Sequence, residues 1–87
     1  MDLQMFTVYD SVAAAFLPPF YLHNQSMAQR AFSDSIKDKG HAFNKNPADY
    51  TLFYVGIFKD STGEIISQLP EAILSGNEIR VHEVEVK

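Results

Sequence analysis

A chain of 87 residues with no cysteine fits one small domain, 1–87, held by packing alone, with neither a disulfide nor a thiolate metal site. Its formal charge of −4 opposes strong nonspecific binding to phosphate backbones, and its 46% hydrophobic and 13% aromatic shares argue against disorder. No apolar stretch approaches the ~20 residues needed to cross a bilayer, and Met1-Asp2-Leu3-Gln4 lacks the basic start of a signal peptide, so the expectation is a cytoplasmic protein without membrane contact.

Leu3 to Tyr9 reads as a first strand, with Leu3, Met5, Thr7 and Tyr9 opposite Gln4, Phe6 and Val8. Asp10-Ser11 ends it. Val12 to Phe16 is apolar, short and rich in alanine, and fits either a strand or a helical turn. Pro18-Pro19 forbids a continuous helix or a central strand, after which Phe20-Tyr21-Leu22 resumes an extended apolar run. Ser26 opens a helix over 26–39. Ser26 and Gln29 have the spacing of a capping box, and Met27, Ala28, Ala31, Phe32 and Ile36 form one apolar stripe. Gly40 supplies the stop, Phe43 is placed to pack back on the helix end, and Pro47-Ala48-Asp49 fits one turn.

Residues 48–66 form the strongest local signal, a β-hairpin. Aromatic and β-branched residues fill its first arm, and Asp60-Ser61-Thr62-Gly63 closes it, with Asp60 accepting from the turn amides and Gly63 in the left-handed position. Strict alternation puts Leu52, Tyr54 and Phe58 on one face and Phe53, Val55 and Ile57 on the other. Both faces are apolar, so this strand is expected to be covered on both sides. The covering would come from the 12–22 segment or from a second copy. Gln68 to Gly76 fits a short helical turn with Pro70 early, and Ile79 to Val86 reads as a last strand whose apolar parity slips, as at a bulge.

The fold class is therefore α+β: a small antiparallel sheet of about four strands with one amphipathic helix packed on a face.

Catalytic and metal chemistry find little support. Asp60-Ser61-Thr62-Gly63 has one residue too many for the Asp-Thr-Gly signature of aspartic proteases, and a hairpin turn accounts for all four residues. His23, His41 and His82 are scattered, without a second ligand at helix or hairpin spacing. No cofactor, no metal and no enzymatic activity are expected.

Charge is uneven. Residues 23–59 carry five cations against three carboxylates, while residues 60–87 carry six carboxylates against two cations. Such a field either steers a partner or is simply solvated. The aromatics flanking Pro18-Pro19 either fill the core, anchor a protein partner or stack on unpaired bases.

Several segments keep a joint order: Phe6-Thr7-Val8-Tyr9-Asp10-Ser11, Pro18-Pro19-Phe20, Arg30-Ala31-Phe32-Ser33-Asp34, His41-Ala42-Phe43-Asn44-Lys45, Pro47-Ala48-Asp49-Tyr50-Thr51-Leu52-Phe53, Gly56 and Ser61-Thr62-Gly63. In this order and spacing, over residues 6–63, the chain resembles the small nonstructural protein of gokushoviruses, single-stranded DNA phages of the microvirus family. Residues beyond Leu69 fall outside the likeness.

That protein is regarded as a counterpart of microvirus protein C. The resemblance implies a role in the host bacterial cytoplasm, late in infection, in single-stranded viral DNA synthesis and packaging. It supplies no catalytic residues. Two expectations follow. In the first, the protein binds single-stranded DNA or the replication complex, with Arg30, Lys37, Lys39 and Lys45 on phosphates and Phe20 and Tyr21 stacking bases. In the second, it is a protein-only adaptor docking on the replication initiator, the procapsid or a host protein. A homodimer is compatible with either.

Overall fold

The computed structural model describes residues 1–79. Five antiparallel strands form one sheet: β1 (Asp2–Asp10), β2 (Ala15–Phe16), β3 (Phe20–Leu22), β4 (Tyr50–Lys59) and β5 (Ile65–Ser75). The order is β2-β1-β4-β5, and β3 also pairs with β1. β2 faces Tyr9 and Asp10 while β3 faces Gln4 to Phe6, so the two short strands share one edge of β1. Helix α1 (Gln25–Lys37), the short helix α2 (Ala42–Lys45) and a 3-10 turn (Pro47–Asp49) link β3 to β4. The expected α+β architecture and the 60–63 turn are both present.

The strand buried at both parities is β1 rather than β4. Met5, Phe6, Thr7 and Val8 are consecutive and none exceeds 8% exposure. β4 is buried only at Leu52 and Gly56 and half-buried elsewhere. The reason is position: β1 has neighbours along both edges, whereas the outer neighbour of β4 is β5, whose residues 65–72 are all exposed.

The core lies on one face of the sheet. Phe6, Val8 and Leu52 meet Ala28, Phe32 and Ile36 of α1, together with Ile79. Phe43 of α2 extends this layer, 6.0 Å from the Phe32 ring and 4.3 Å from Tyr50. Burying a side chain of this size contributes about 1.5–3 kcal/mol, so these few residues dominate the stability of a small domain.

Local details depart from the sequence expectations in several places. The cap of α1 is Asn24, not Ser26. Its extended backbone lets its side-chain oxygen accept from the Met27 amide at 2.9 Å, which leaves Ser26 inside the first turn. The helix ends at Asp38, two residues before Gly40, with the Asp38 amide donating to the Asp34 carbonyl. Asp60 accepts from the Met1 ammonium at 2.8 Å. Gln68 to Ser75 is strand, not a helical turn. Pro70 is tolerated because β5 is an edge strand and because the register jumps from Gly56↔Ser67 to Tyr54↔Glu71, leaving 68–70 as a bulge. Helical geometry appears only at 76–79. The expected last strand thus starts on a helical residue, Ile79, and its remainder lies outside the described residues.

Parity along β4 is also corrected. The register with β1 shifts between Met5 and Phe6, so Val55 is an extra residue and Tyr54 pairs with Phe6 while Gly56 pairs with Met5. Beyond this bulge every side chain changes face. Phe58 joins Phe53, and Ile57 joins Tyr54. Gly56 permits the kink: its φ is +146°, and a Cβ there would collide with the Ile66 carbonyl.

Candidate functional site

The second face of the sheet carries five rings. Residues paired across strands share a face, and the register places Tyr9 and Phe16 opposite each other, Phe53 opposite Thr7, Tyr21 opposite Met5, and Phe58 opposite Leu3. Tyr9, Phe16 and Phe53 form a triad, with ring centroids 4.8, 5.3 and 6.3 Å apart. Tyr21 and Phe58 form a pair at 5.6 Å. Packing of Ala28, Phe32, Ile36, Phe43 and Ile79 is confined to the opposite face. Among the described residues nothing helical covers the rings, and Phe16 is 46% and Tyr21 44% exposed.

The sequence fixes Phe16 in place by local hydrogen bonds. Asp10 accepts from the amides of Val12 and Ala13 at 3.0 and 3.2 Å, a turn that aspartate favours because its carboxylate mimics a backbone acceptor. Ala14 closes the turn at φ +55°, a conformation that costs an alanine about 1–2 kcal/mol. The Leu17 amide donates to the Val8 carbonyl at 2.9 Å, and the buried Thr7 hydroxyl donates to the Leu17 carbonyl at 2.6 Å. These bonds hold the Phe16 ring over Tyr9 and Phe53. Pro18-Pro19 then separates β2 from β3 and lets Tyr21 pair opposite Met5.

The electrostatics of this face are simple. None of its cross-strand paired positions is charged. Asp2, Asp10 and Glu71 have the parity of the helix-covered face, and Asp60 is engaged by the Met1 ammonium. Lys59 follows Phe58 at the end of β4.

The residues singled out from the sequence do not form one surface. Tyr21 is on the open face. Phe20 is on the covered face, stacked 5.9 Å from Phe6 and packed against the core. Arg30 borders a small depression with Asn24, Ser26 and Met27 on the first turns of α1. Lys37 and Lys45 occupy the last turns of α1 and α2, where a cation offsets the partial negative charge of a helix end. Lys39 is exposed just beyond α1. All four cations thus belong to the helical layer. Between α1 and the sheet an apolar cavity of about 220 Å³ is lined by Val8, Phe20, Ala31, Phe32, Ser35 and Phe43.

Sequence reading missed Tyr9, Phe16, Phe53 and Phe58 as one group. The available signal was Gly56 inside an otherwise strong strand, the usual mark of a bulge. Allowing one extra residue there brings Phe53 and Phe58 to the same face.

The fold and this face define a small α+β domain presenting an open aromatic sheet surface. A family model described as phage ORF5 protein matches residues 3–79, and the chain belongs to that family of phage proteins. No curated protein and no solved structure matches it. Among the described residues no helix is long and apolar enough to cross a membrane, and no group of three His, Cys, Asp or Glu residues is placed to hold a metal.

Proposed function

We propose that this phage protein is a non-enzymatic factor that binds single-stranded DNA in the host bacterial cytoplasm and acts in viral DNA synthesis and packaging, as the gokushovirus nonstructural protein and its counterpart protein C would. The observation that carries the reading is the open sheet face with Tyr9, Phe16, Phe53, Tyr21 and Phe58. Unpaired bases expose π-faces that stack on such rings without sequence preference, at about 1–3 kcal/mol per base. A four-stranded antiparallel sheet stacking bases on its open face is an established solution for single-stranded nucleic acid.

This reading moves the interface away from Arg30, Lys37, Lys39 and Lys45 and keeps only Tyr21 of the residues first singled out. It also makes binding depend on stacking more than on charge. Lys59 pairs with Asp2 on the helix-covered face and no paired position of the open face is cationic, so the slope of log affinity against log salt should be shallow, below the roughly 0.7 that one phosphate contact on a single strand gives.

The test is a fluorescence-anisotropy titration of labelled oligothymidylate at low salt. Phe16→Ala/Phe53→Ala should weaken binding tenfold or more, while the triple replacement of Lys37, Lys39 and Lys45 by Gln should leave it near wild type. The reverse result would return the interface to the helical layer. The charge of −4 favours the second reading, a protein-only adaptor, because a charge-free aromatic surface also suits a protein interface core. No oligonucleotide binding by any form, together with a dimer that Phe16→Ala dissociates in sedimentation, would establish a second copy as the occupant of this face.

A further inference from the structure

The five rings are not spread evenly, and their spacing bears on how a strand would lie. The Tyr21–Phe58 pair flanks the Leu3–Met5 part of β1, and the Tyr9–Phe16–Phe53 triad flanks Thr7–Tyr9. The centres of the two groups are four residues apart along β1, or roughly 13 Å at the rise of a strand. Met5 and Thr7, where the two stations adjoin, are at 8% and 5% exposure and carry no ring of their own. Resting on single-strand binding at this face, we infer that the two groups are separate stacking stations that together define a footprint of about four nucleotides, the lower end of known single-strand site sizes. At the duplex spacing of about 3.4 Å per nucleotide a strand takes about four steps between the stations, and a splayed strand takes fewer.

Stacking on exposed rings selects unpaired over paired nucleic acid as the occupant. An acidic chain keeps its carboxylates off the paired positions of this face, so a polyanion meets no fixed negative charge at those positions of the track. A duplex has its bases already stacked and leaves both stations empty. The strand direction along β1 places one base on Phe16, the most exposed ring of the triad, and another on Tyr21, the more exposed ring of its pair.

The experiment is a length series of oligothymidylates from two to ten nucleotides, titrated against wild type, Tyr21→Ala and Tyr21→Phe. Wild type should gain affinity steeply up to four or five nucleotides and only statistically beyond. Tyr21→Ala should reach its plateau at about two nucleotides and bind longer strands about 5- to 150-fold more weakly, the loss of one stacked base. Tyr21→Phe keeps the ring and should behave as wild type. Tyr21 is 44% exposed and outside the core, so its truncation leaves the fold intact. A wild-type affinity that keeps rising without a break, or a Tyr21→Ala plateau at the wild-type length, overturns the two-station footprint while single-strand binding stands. Binding at no length overturns both.

Discussion

Phe6 and Phe16 belong to adjacent strands of one sheet, yet the first has 0% and the second 46% exposure. They represent its two faces. The helix-covered face buries Phe6, Val8 and Leu52 under α1, whereas among the described residues the other face gathers five rings without such a cover. Aromatic residues on the first face are fixed by burial, and a substitution there acts on folding. Rings on the second face are fixed by neighbouring rings and by the turn that holds Phe16, and a substitution there should cost folding less.

The sharpest way to break this contrast is to compare equivalent truncations. Phe6→Ala should cost about 3–5 kcal/mol, the range for a fully buried ring, read as a fall in the urea midpoint. Phe53→Ala removes a half-buried ring with edge contacts to Phe16 and Tyr9. It should cost about 1–2 kcal/mol, made up of partial burial and aromatic pairing. Equal losses for the two would mean that the second face is as closed as the first.

The two positive-φ glycines of the β4–β5 hairpin offer a second comparison. At Gly56 the backbone conformation and the Ile66 carbonyl both oppose a side chain, whereas at Gly63, φ +81°, a Cβ meets nothing within 4 Å. Gly56→Ala should therefore destabilise by about 3 kcal/mol or more and disturb the parity that brings Phe58 beside Phe53. Gly63→Ala should cost only about 1 kcal/mol, the local conformational penalty. A Gly56→Ala protein with an unchanged midpoint would remove the bulge, and with it the grouping of the five rings.

These cases also mark how far the sequence could be read. The helical stripe Ala28, Phe32 and Ile36, the breaks at Pro18-Pro19 and the 60–63 turn were legible because each follows from one local rule of periodicity or backbone freedom. The faces of β4 were not. A single extra residue at Val55 reverses every later side chain, and no count of alternating residues reveals it. Burial of β1 rather than β4 was equally hidden, since both strands are apolar on both parities and only the sheet order decides which is central. The role of the cationic residues was illegible for a different reason. Lys37 and Lys45 close helices, and a lysine at a helix end looks the same in a sequence as one meant for phosphate.

A smaller effect tests how α1 is held against the covered face. Asn24→Ala should cost about 1 kcal/mol, since the Met27 amide loses its acceptor. Ser26→Ala should be close to neutral, because its hydroxyl is not the cap. A larger loss at Ser26 than at Asn24 would shift the helix start and the phase of the stripe that closes this face.

The smallest effect belongs to the end of the sheet where β1 meets the hairpin turn. The Met1 ammonium donates to Asp60 at 2.8 Å, with the two side chains 75% and 45% exposed. The hydrogen bond to Asp60, and then its charge, hold the amine above its ordinary value of 8.0. A folded-state pKa raised above the unfolded one means that the contact contributes its full stability below the unfolded value. That contribution is lost as the pH rises through the raised folded value. Solvent and salt screen so exposed a pair, so the contribution is small and should fade as ionic strength increases. Other groups titrate on the alkaline side, so the informative quantity is the difference between wild type and Asp60→Asn. The wild type should unfold at a slightly higher urea midpoint at neutral pH, and the gap should close once the amine is deprotonated. A gap that persists at alkaline pH would mean that Asp60 supports the hairpin turn itself, as the sequence first suggested, rather than tying the chain start to the far end of the open face.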